Sequence, residues 1–369
     1  MKVAIVGQFG LESFGLHIAD ALETMGHDVV ARIPFRVENE KGKRTNISFL
    51  TKVNASLNDR LLFSDNRSRS RVMKRIMQAL CQLKCDLIIC TKDYFLDYEV
   101  DQIKHCTQGK IVMWYPDAMV NFGRSTFLSA NYDALFFKDP YIIRHLRDIY
   151  NLPCYYLPEC FNPKKHIRVD VENEADRKEY ECEISLLGNL HSFRVSLLKQ
   201  LTDFDMKVYG TNAPWWINTA EIKGMYTGRY LAYSDKAKAI HYSKINLNNL
   251  HIGEVEGVNV RTFEIAGMGG FQLTQWKPTI NALFTDGKEI ITYKGIDDLK
   301  EKVAFYIQHE DERLKIAEAA YMRACIEHTY ERRLNRLIEL TFSPVNTEEA
   351  IYDYHFLDAK PSEGRLSEN

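Results

Sequence analysis

Short runs of consecutive apolar residues recur along this chain, separated by longer stretches in which apolar residues return every three or four positions. The short runs are typical of parallel strands buried on both faces, and the longer spacing predicts amphipathic helices. The first set predicts a strand over residues 2–6, a helix over 16–25 and a second strand over 28–33. This order is the βαβ unit with which a doubly wound parallel sheet begins.

The alternation continues through the first half of the chain and predicts four further buried strands. They cover residues 86–90, 110–114, 134–137 and 154–157. A polar stretch without periodicity follows, after which strands are predicted again over residues 182–187, 206–209, 244–248, 271–274 and 289–293. We therefore expect an α/β protein with two domains, each built on a parallel sheet.

The length of the chain supports this division, because single hydrophobic cores stop growing near roughly 250 residues and the chain has 369. The predicted first domain covers residues 1–165, a linker covers 166–180, and the second domain covers 181–342. The tail, residues 343–369, carries an aromatic cluster, and we predict that it packs back on the first domain.

The segment most informative about function is EVEGVNVRTFEIAGMGG, residues 254–270, which lies between two predicted strands. A helix that begins near Asn259 directs free backbone N–H groups at the crevice above the sheet, where a diphosphate binds. Gly257 allows a close approach of the chain there, and Arg261 in the first turn offers a bidentate guanidinium. Glu264 lies one turn further along the same face, where it suits the hydroxyls of a ribose.

This segment resembles the Glu-x7-Glu motif of retaining GT-B glycosyltransferases, with Glu256 and Glu264 as the two glutamates. Residues 235–335 resemble the CgeB-like branch through the segments KINLNN, NVRTFEIAGMGGFQLTQ and ERLKIAEAAYMRACIEHTYERRL. The resemblance implies a GT-B fold, with two Rossmann-like, doubly wound parallel-sheet domains facing a central cleft. It also implies transfer of a sugar from a nucleotide-diphospho-sugar, held by the second domain, to an acceptor on the first.

The resemblance further implies that Glu264 holds the ribose and that Glu256 contacts the donor sugar. Asn259 and Arg261 stand where the retaining pattern usually has Gly and Pro, so retention is the expectation and inversion stays open. An arginine and a helix start can stabilise a leaving diphosphate without a cation. We therefore predict a metal-independent enzyme, with no protein metal site and no cofactor besides the donor substrate.

Other candidate residues lie outside this segment. Gly188 and Asn189 follow the first strand of the second domain and can present N–H groups to the diphosphate, with Arg194 nearby; a plain strand-to-helix turn is the alternative. Lys244 leads into KINLNN and is a candidate phosphate ligand or an ordinary surface lysine. Asp117, in WYPDAM, is the candidate general base of an inverting enzyme or a turn-forming residue after proline.

The charges are distributed unevenly along the chain. The net charge is −2, yet residues 32–75 contain twelve basic and four acidic side chains. Such a segment suggests an anionic acceptor, for example a lipid-linked glycan, lipopolysaccharide or DNA, or a phospholipid surface. A solvated loop and helix face explains the same charges equally well.

The cysteines and the first residues bear on location. The N-terminal apolar run is too short for a signal peptide or a membrane span, and the eight cysteines form no Cys-x-x-Cys pair. We therefore expect buried, reduced thiols and a cytoplasmic protein without an integral membrane segment, peripheral association with a membrane staying open.

Two other functions remain open at this point. A nucleotide-sugar epimerase or a phosphorylase uses the same fold and differs in whether product forms without an acceptor. A non-catalytic module that binds membrane or nucleic acid through residues 32–75 also fits the basic segment, as does glycosylation of modified bases in DNA.

Overall fold

The computed structural model describes residues 1–34, 66–211 and 213–345, without the side chains of residues 34 and 66–72. Within those ranges the chain forms two compact units. The first takes in residues 1–138, 142–157 and 337–345, and the second takes in residues 139–141 and 158–336.

The first unit is built on a parallel sheet that has six strands in the described residues, in the order β2-β1-β3-β4-β5-β6. The strands are β1 (Lys2–Gly7), β2 (Asp28–Pro34), β3 (Leu87–Cys90), β4 (Lys110–Tyr115), β5 (Ala134–Phe137) and β6 (Cys154–Tyr156). Val3 of β1 is in register with Val29 on one side and Leu87 on the other. Strands β3 and β5 are buried at every position, which explains their unbroken apolar runs.

The helices that connect these strands are α1 (Phe14–Thr24), α2 (Asn66–Leu83), α3 (Asp97–Thr107) and α4 (Pro140–Tyr150). Cys81 of α2 and Cys106 of α3 form a disulfide, with their Cα atoms 5.2 Å apart. The prediction of buried, reduced thiols is therefore wrong for this pair, because two packed helices bring together cysteines that are 25 residues apart. It is also wrong for Cys325, which is exposed, whereas the remaining five cysteines are buried and free.

The second unit is built on another parallel sheet, with the order β11-β10-β9-β7-β8 in the described residues. Its strands are β7 (Cys182–Leu187), β8 (Met206–Tyr209), β9 (Ser243–Asn248), β10 (Gln272–Gln275) and β11 (Ile291–Tyr293). The chain leaves β7 for β8 and returns on the opposite side of β7 as β9. The strand order therefore reverses between β7 and β9, which is the topological switch point of this sheet.

Helices cover both faces of the second sheet. The helices of this unit are α5 (Glu174–Tyr180), α6 (Ser192–Leu198), α7 (Tyr233–His241), α8 (Arg261–Gly267), α9 (Ile280–Leu283), α10 (Ile296–Gln308) and α11 (Glu310–Glu327). Helix α12 (Tyr330–Phe342) follows them and continues into the first unit. Alternate residues of β7 point to different cores: Leu186 packs with Leu247 and Leu273, whereas Leu187 packs with Ile240. This two-sided burial fixes the carboxyl end of β7, where the candidate site lies.

Residues 166–180, predicted to be a linker, fold as part of the second unit. Their last seven residues form α5, and His166 and Tyr180 are buried. Arg168 forms an ion pair with Glu318 at 2.6 Å. Polarity and missing periodicity predicted a linker, because neither pattern reveals that His166 and Tyr180 are buried.

Two predictions fall mostly on residues outside the described ranges. Helix α12 begins in the second unit and its residues from 337 onward belong to the first. Residues 346–369 are not described, so the packing of the tail on the first domain stays a prediction. Of the basic segment, residues 35–65 are not described, and Arg32 pairs with Glu23 at 2.6 Å. In the part of the chain that is described, no helix has the length and apolarity that crossing a membrane requires.

Candidate functional site

A buried arginine joins the two strand ends at the switch point of the second sheet. Gly188 and Asn189 follow β7, and Asn249 follows β9. Arg194, in the first turn of α6, donates from Nη1 to the carbonyl oxygen of Asn189 at 2.6 Å and from Nη2 to that of Asn249 at 3.1 Å. Ligands of open α/β sheets bind at this edge, beyond the carboxyl ends of the strands.

Gly188 makes room for this arginine. Its φ is +149°, a conformation that favours glycine, and an added Cβ would lie 2.5 Å from Nη1 of Arg194. The N–H of Gly188 donates to the carbonyl oxygen of Tyr209 at 2.8 Å, and the side-chain oxygen of Asn189 accepts from Thr211 Oγ1 at 2.7 Å. The prediction that this turn offers the Gly188 N–H to a diphosphate is therefore wrong, and the turn acts by shaping the pocket of Arg194.

A second guanidinium belongs to Arg261, the first residue of α8. Burial, followed by the positive charge of nearby Arg261, lowers the pKa of Arg194 to about 10. Arg194 therefore stays charged at neutral pH, although its partners in the described residues are carbonyl and amide oxygens, with no carboxylate among them. Arg194 is therefore a buried positive charge that these partners do not neutralise, and such a charge attracts an anion.

Two histidines border the arginines. His191 caps α6, because its Nδ1 accepts from the N–H of Arg194 at 3.3 Å, and its ring centroid lies 4.9 Å from that of His251. Burial, followed by the charges of Arg194 and His251, lowers the pKa of His191 to about 4. His191 is therefore a neutral acceptor at physiological pH, and nothing in its sequence context distinguishes it from a surface residue.

Glu264 lies inside a buried ionic cluster. Its Oε2 accepts from Lys236 Nζ at 3.2 Å and from Nη1 of Arg261, and its Oε1 lies 3.4 Å from Nε2 of His166. The side chains of Glu264 and Lys236 are 5% and 1% exposed. The cluster therefore fixes the orientation of Arg261, and a ribose hydroxyl must compete with protein partners for this carboxylate.

Helix α8 begins close to the predicted position. The side-chain amides of Asn259 and Asn248 exchange hydrogen bonds of 3.0 and 3.1 Å, and Asn259 Oδ1 also accepts from the N–H of Thr262 at 3.3 Å. Because α8 has only seven residues, its dipole is a weak source of positive charge. The arginine side chains, rather than the helix end, supply the charge of the site.

The loop that carries Glu256 is held by three side chains that the sequence patterns do not reveal. The buried carboxylate of Asp139 accepts from the N–H groups of Val255 at 2.8 Å and Glu256 at 3.1 Å. Lys277 Nζ donates to the carbonyl oxygen of Val255 at 3.2 Å, and Thr279 Oγ1 donates to that of Glu256 at 2.7 Å. We call these residues, Asp139, Lys277 and Thr279, the loop clamp.

In the sequence, Asp139 resembles a simple helix cap. It precedes Pro140, and its Oδ1 accepts from the N–H of Tyr141 at 3.0 Å. Its partners in the loop lie 116 and 117 residues further along the chain, so no local pattern indicates them. Gly257, the next residue of the loop, is buried, and Glu256 itself is half-buried.

Two predicted site residues lie elsewhere. Lys244 is exposed and is the second residue of β9, so it stands at the amino end of a strand whose carboxyl end borders Arg194. Asp117 belongs to the first unit, where its Oδ1 accepts from the N–H of Ala118 and from Nδ2 of Asn121, both at 2.9 Å. These are the contacts of a turn-forming residue, and its role as a general base stays a prediction.

An Asp-x-Asp triplet, a spacing often associated with metal-bound diphosphates, occupies residues 203–205. It precedes β8 and therefore lies at the amino edge of the sheet, where the carbonyl oxygen of Asp205 accepts from the N–H of Ile184 at 3.0 Å. Across the described residues, no group of three or more His, Cys, Asp or Glu side chains is arranged to hold a metal ion. Metal independence of the reaction stays a prediction.

Part of the chain also matches known proteins in sequence. Residues 192–339 match a family model described as glycosyl transferase-like. The spore protein CgeB of Bacillus subtilis (strain 168) is 27% identical over 194 residues, which are 48% of this chain and 58% of CgeB. The chain therefore spans less than two thirds of this relative. The predicted resemblance to CgeB-like glycosyltransferases is confirmed.

Solved structures match nearly the whole chain. A glycosyltransferase from Rickettsia africae ESF-5 superposes with a TM-score of 0.61 at 12% identity, covering 93% of this chain and 100% of that one. HepE of Anabaena in complex with UDP-glucose gives a TM-score of 0.63 at 10% identity, again with 93% and 100% coverage. Sucrose-phosphate synthase of Thermosynechococcus elongatus gives 0.62 at 10% identity, with 94% and 100% coverage. At these identities the matches concern the fold, and the predicted pair of Rossmann-like units is confirmed as GT-B.

Proposed function

We propose that this chain, which has the GT-B fold and a glycosyl transferase-like second unit, transfers a sugar from a nucleotide-diphospho-sugar to an acceptor. The observation that carries the proposal is the pair Arg194 and Arg261 beside the switch point of the second sheet. A diphosphate supplies the negative charge that Arg194 lacks among its described protein partners, and it gives Arg261, which pairs with Glu264, a second anion to bind. Because charge develops on the leaving diphosphate during transfer, the same contacts strengthen in the transition state.

Each site residue has a distinct part in this proposal. Arg194, held by the two strand ends, binds one phosphate, and Arg261, held by Glu264, binds the other. Glu256 contacts the donor sugar from the clamped loop. Glu264 contacts the ribose only by exchanging one of its protein partners for a hydroxyl, so its main contribution is to orient Arg261.

Incubation with UDP-, GDP-, dTDP- and CDP-linked sugars, followed by NMR of the sugar, tests the proposal. Uridine donors are the first choice, since the similar fold of HepE was solved with UDP-glucose. We expect Arg194→Ala and Arg261→Ala to lower turnover on the order of 100-fold, the usual effect of losing one transition-state donor. Arg177→Ala is the control, because Arg177 pairs with Glu172 and Glu181 on the surface.

The same incubation distinguishes the alternative enzymes. An epimerase changes the donor sugar when no acceptor is present, and a phosphorylase produces a sugar phosphate when orthophosphate is added. Failure to consume any nucleotide-sugar, together with salt-sensitive binding to DNA or anionic vesicles, would indicate a non-catalytic binding module instead.

The finer features of the reaction belong to the same proposal. We expect retention of anomeric configuration, which the NMR coupling of the new anomeric proton reports, and unchanged turnover in EDTA. The acceptor is anionic in this proposal and docks on residues 32–75, as a lipid-linked glycan, lipopolysaccharide or DNA would. Transfer to such an acceptor should weaken as salt rises, because exposed charges are screened within about 10 Å at 0.1 M salt.

A further inference from the structure

Two adjacent tryptophans stand out on the surface of the second unit. Trp215 is 91% exposed and Trp216 is 67% exposed, and their rings are nearly perpendicular, with centroids 5.8 Å apart. Indole rings are normally buried to a large extent. Two of them side by side in water indicate a contact surface.

The loop that presents these rings is anchored on both sides. Ala213 and Ile217 pack against the hydrophobic core of the second unit. The N–H of Ile217 donates to the carbonyl oxygen of Pro214 at 3.0 Å, which closes a turn around the two tryptophans. The rings are therefore held outward by a fixed turn, so little conformational freedom is lost when a partner binds.

The loop starts beside the proposed donor site. It follows β8, where an added Cβ on Gly210 would lie 2.4 Å from the carbonyl oxygen of Gly188. The next residue, Thr211, donates from its hydroxyl to Asn189 Oδ1 at 2.7 Å, and Asn189 in turn binds Arg194 at 2.6 Å. Asn189 thus contacts both Arg194 and Thr211, at the start of the loop that carries the two tryptophans.

Exposed tryptophans bind either membrane surfaces or sugar rings, and the charges around them distinguish these two kinds of partner. A membrane surface is bound by aromatic rings together with clusters of Lys and Arg. Of the residues described between 211 and 224, only Glu221 and Lys223 are charged, and Glu221 is already paired with Lys199 at 2.5 Å. Sugar rings require no such cluster, because their C–H faces stack on the electron-rich face of an indole.

We infer that Trp215 and Trp216 form a stacking platform for the uncharged sugar rings of the acceptor. Two indoles at right angles present two separate faces, which suits an oligosaccharide rather than one monosaccharide. The inference rests on the proposed function, because a binding surface for the acceptor has meaning only if the second unit binds the sugar donor. It adds a carbohydrate contact to the acceptor charge already proposed for residues 32–75.

Titration of the full-length chain with cellohexaose, maltohexaose and chitohexaose, followed by tryptophan fluorescence and calorimetry, tests the inference. We expect saturable binding of at least one oligosaccharide, weakened about tenfold or more in Trp215→Ala/Trp216→Ala. The control Tyr150→Ala removes another exposed aromatic residue and should bind as the wild type does. The double variant should also unfold at the wild-type temperature, since both rings are largely in water.

Three outcomes overturn the inference: no binding of any of the three oligosaccharides, equal binding by wild type and double variant, or loss in that variant of binding to phosphatidylcholine or phosphatidylglycerol vesicles instead. A parallel titration with UDP separates this inference from the proposed function. If the chain binds UDP but none of the oligosaccharides, the stacking platform is contradicted and the donor site stands. If the chain does not bind UDP, the donor site of the proposed function is contradicted.

Discussion

At the scale of single residues, Gly188 and Arg194 depend on each other. The positive φ of Gly188, and the 2.5 Å that would separate an added Cβ from Nη1, leave no room for a side chain. We expect Gly188→Ala to displace the guanidinium and to weaken UDP binding about tenfold or more, because a charged hydrogen bond is worth about 1.5–3 kcal/mol. Gly224→Ala is the matched control, since nothing lies within 4 Å of its added Cβ. Equal losses of UDP affinity in both variants would contradict this role.

The histidine beside these arginines makes a prediction about pH. The pKa of His191 is about 4 in the folded chain, against about 6.5 when unfolded. Between these values the unfolded chain binds more protons, so His191 lowers stability as pH falls from about 6.5 towards 4 and has no effect above 6.5. Protonation also removes the Nδ1 acceptor that caps α6.

Thermal unfolding of wild type and His191→Asn across this pH range measures the effect. Asparagine keeps a capping oxygen and cannot be protonated, so the variant should lose less stability than the wild type on acidification. If the difference in unfolding temperature between the two proteins is the same from pH 7 to pH 4, the pKa of His191 is not lowered by folding.

Glu264 illustrates a residue whose environment changes its expected role. Both carboxylate oxygens of Glu264 contact protein side chains, and its side chain is 5% exposed. Replacing Glu264 by alanine removes the carboxylate that faces the buried ammonium of Lys236. We expect Glu264→Ala to lower the free energy of unfolding by about 3–5 kcal/mol, where the motif alone predicts loss of activity with an intact fold. Urea unfolding measures this loss.

The exposed pair Arg168–Glu318 supplies a control for that experiment. Glu318→Ala should change stability by about 1 kcal/mol or less. In Lys236→Met/Glu264→Leu, which removes both charges, much of the lost stability should return. A double variant no more stable than Glu264→Ala would argue that packing, rather than an uncompensated buried charge, explains the loss.

At the scale of elements, the loop clamp links the position of Glu256 to distant parts of the chain. Asp139→Asn removes the charge that binds two successive N–H groups, so the loop should become less well placed. We expect kcat to fall about tenfold while UDP affinity stays unchanged, since misplacement of a reacting group affects turnover more than binding. Asp286→Asn is the control, because Asp286 binds the N–H of Thr292 at 3.0 Å in a loop without site residues. An unchanged kcat in Asp139→Asn would exclude this positioning role.

Strands and long helices could be predicted from the sequence because burial on both faces, or on one stripe, imposes a period. The bounds of β5 and β7 agree with the predicted ranges. Helix α5 was not predicted, since its seven residues, EADRKEY, are almost all polar and show no apolar stripe. The contact of Lys236 with Glu264 and the contacts of Asp139 in the loop clamp could not be predicted either, because they join residues 28, 116 and 117 positions apart.

At the scale of the whole molecule, the two parallel sheets could be predicted from two rounds of strand and helix alternation. The sequence does not predict that residues 139–141 belong to the second unit and residues 337–345 to the first, because these segments group with residues far away in the chain. The candidate site is simpler in this respect. Arg194, Arg261 and the strand ends that bind Arg194 all belong to the second unit, so the proposed binding of a diphosphate requires residues of that unit alone.

Calorimetric titration of the wild type and Arg194→Ala with UDP and with uridine tests this claim most directly. We predict that the wild type binds UDP much more tightly than uridine. In Arg194→Ala, UDP affinity should fall about 10- to 100-fold while uridine affinity is unchanged, because only the diphosphate contacts the arginine. Equal UDP affinity in the two proteins, or a wild type that does not distinguish UDP from uridine, would contradict the account.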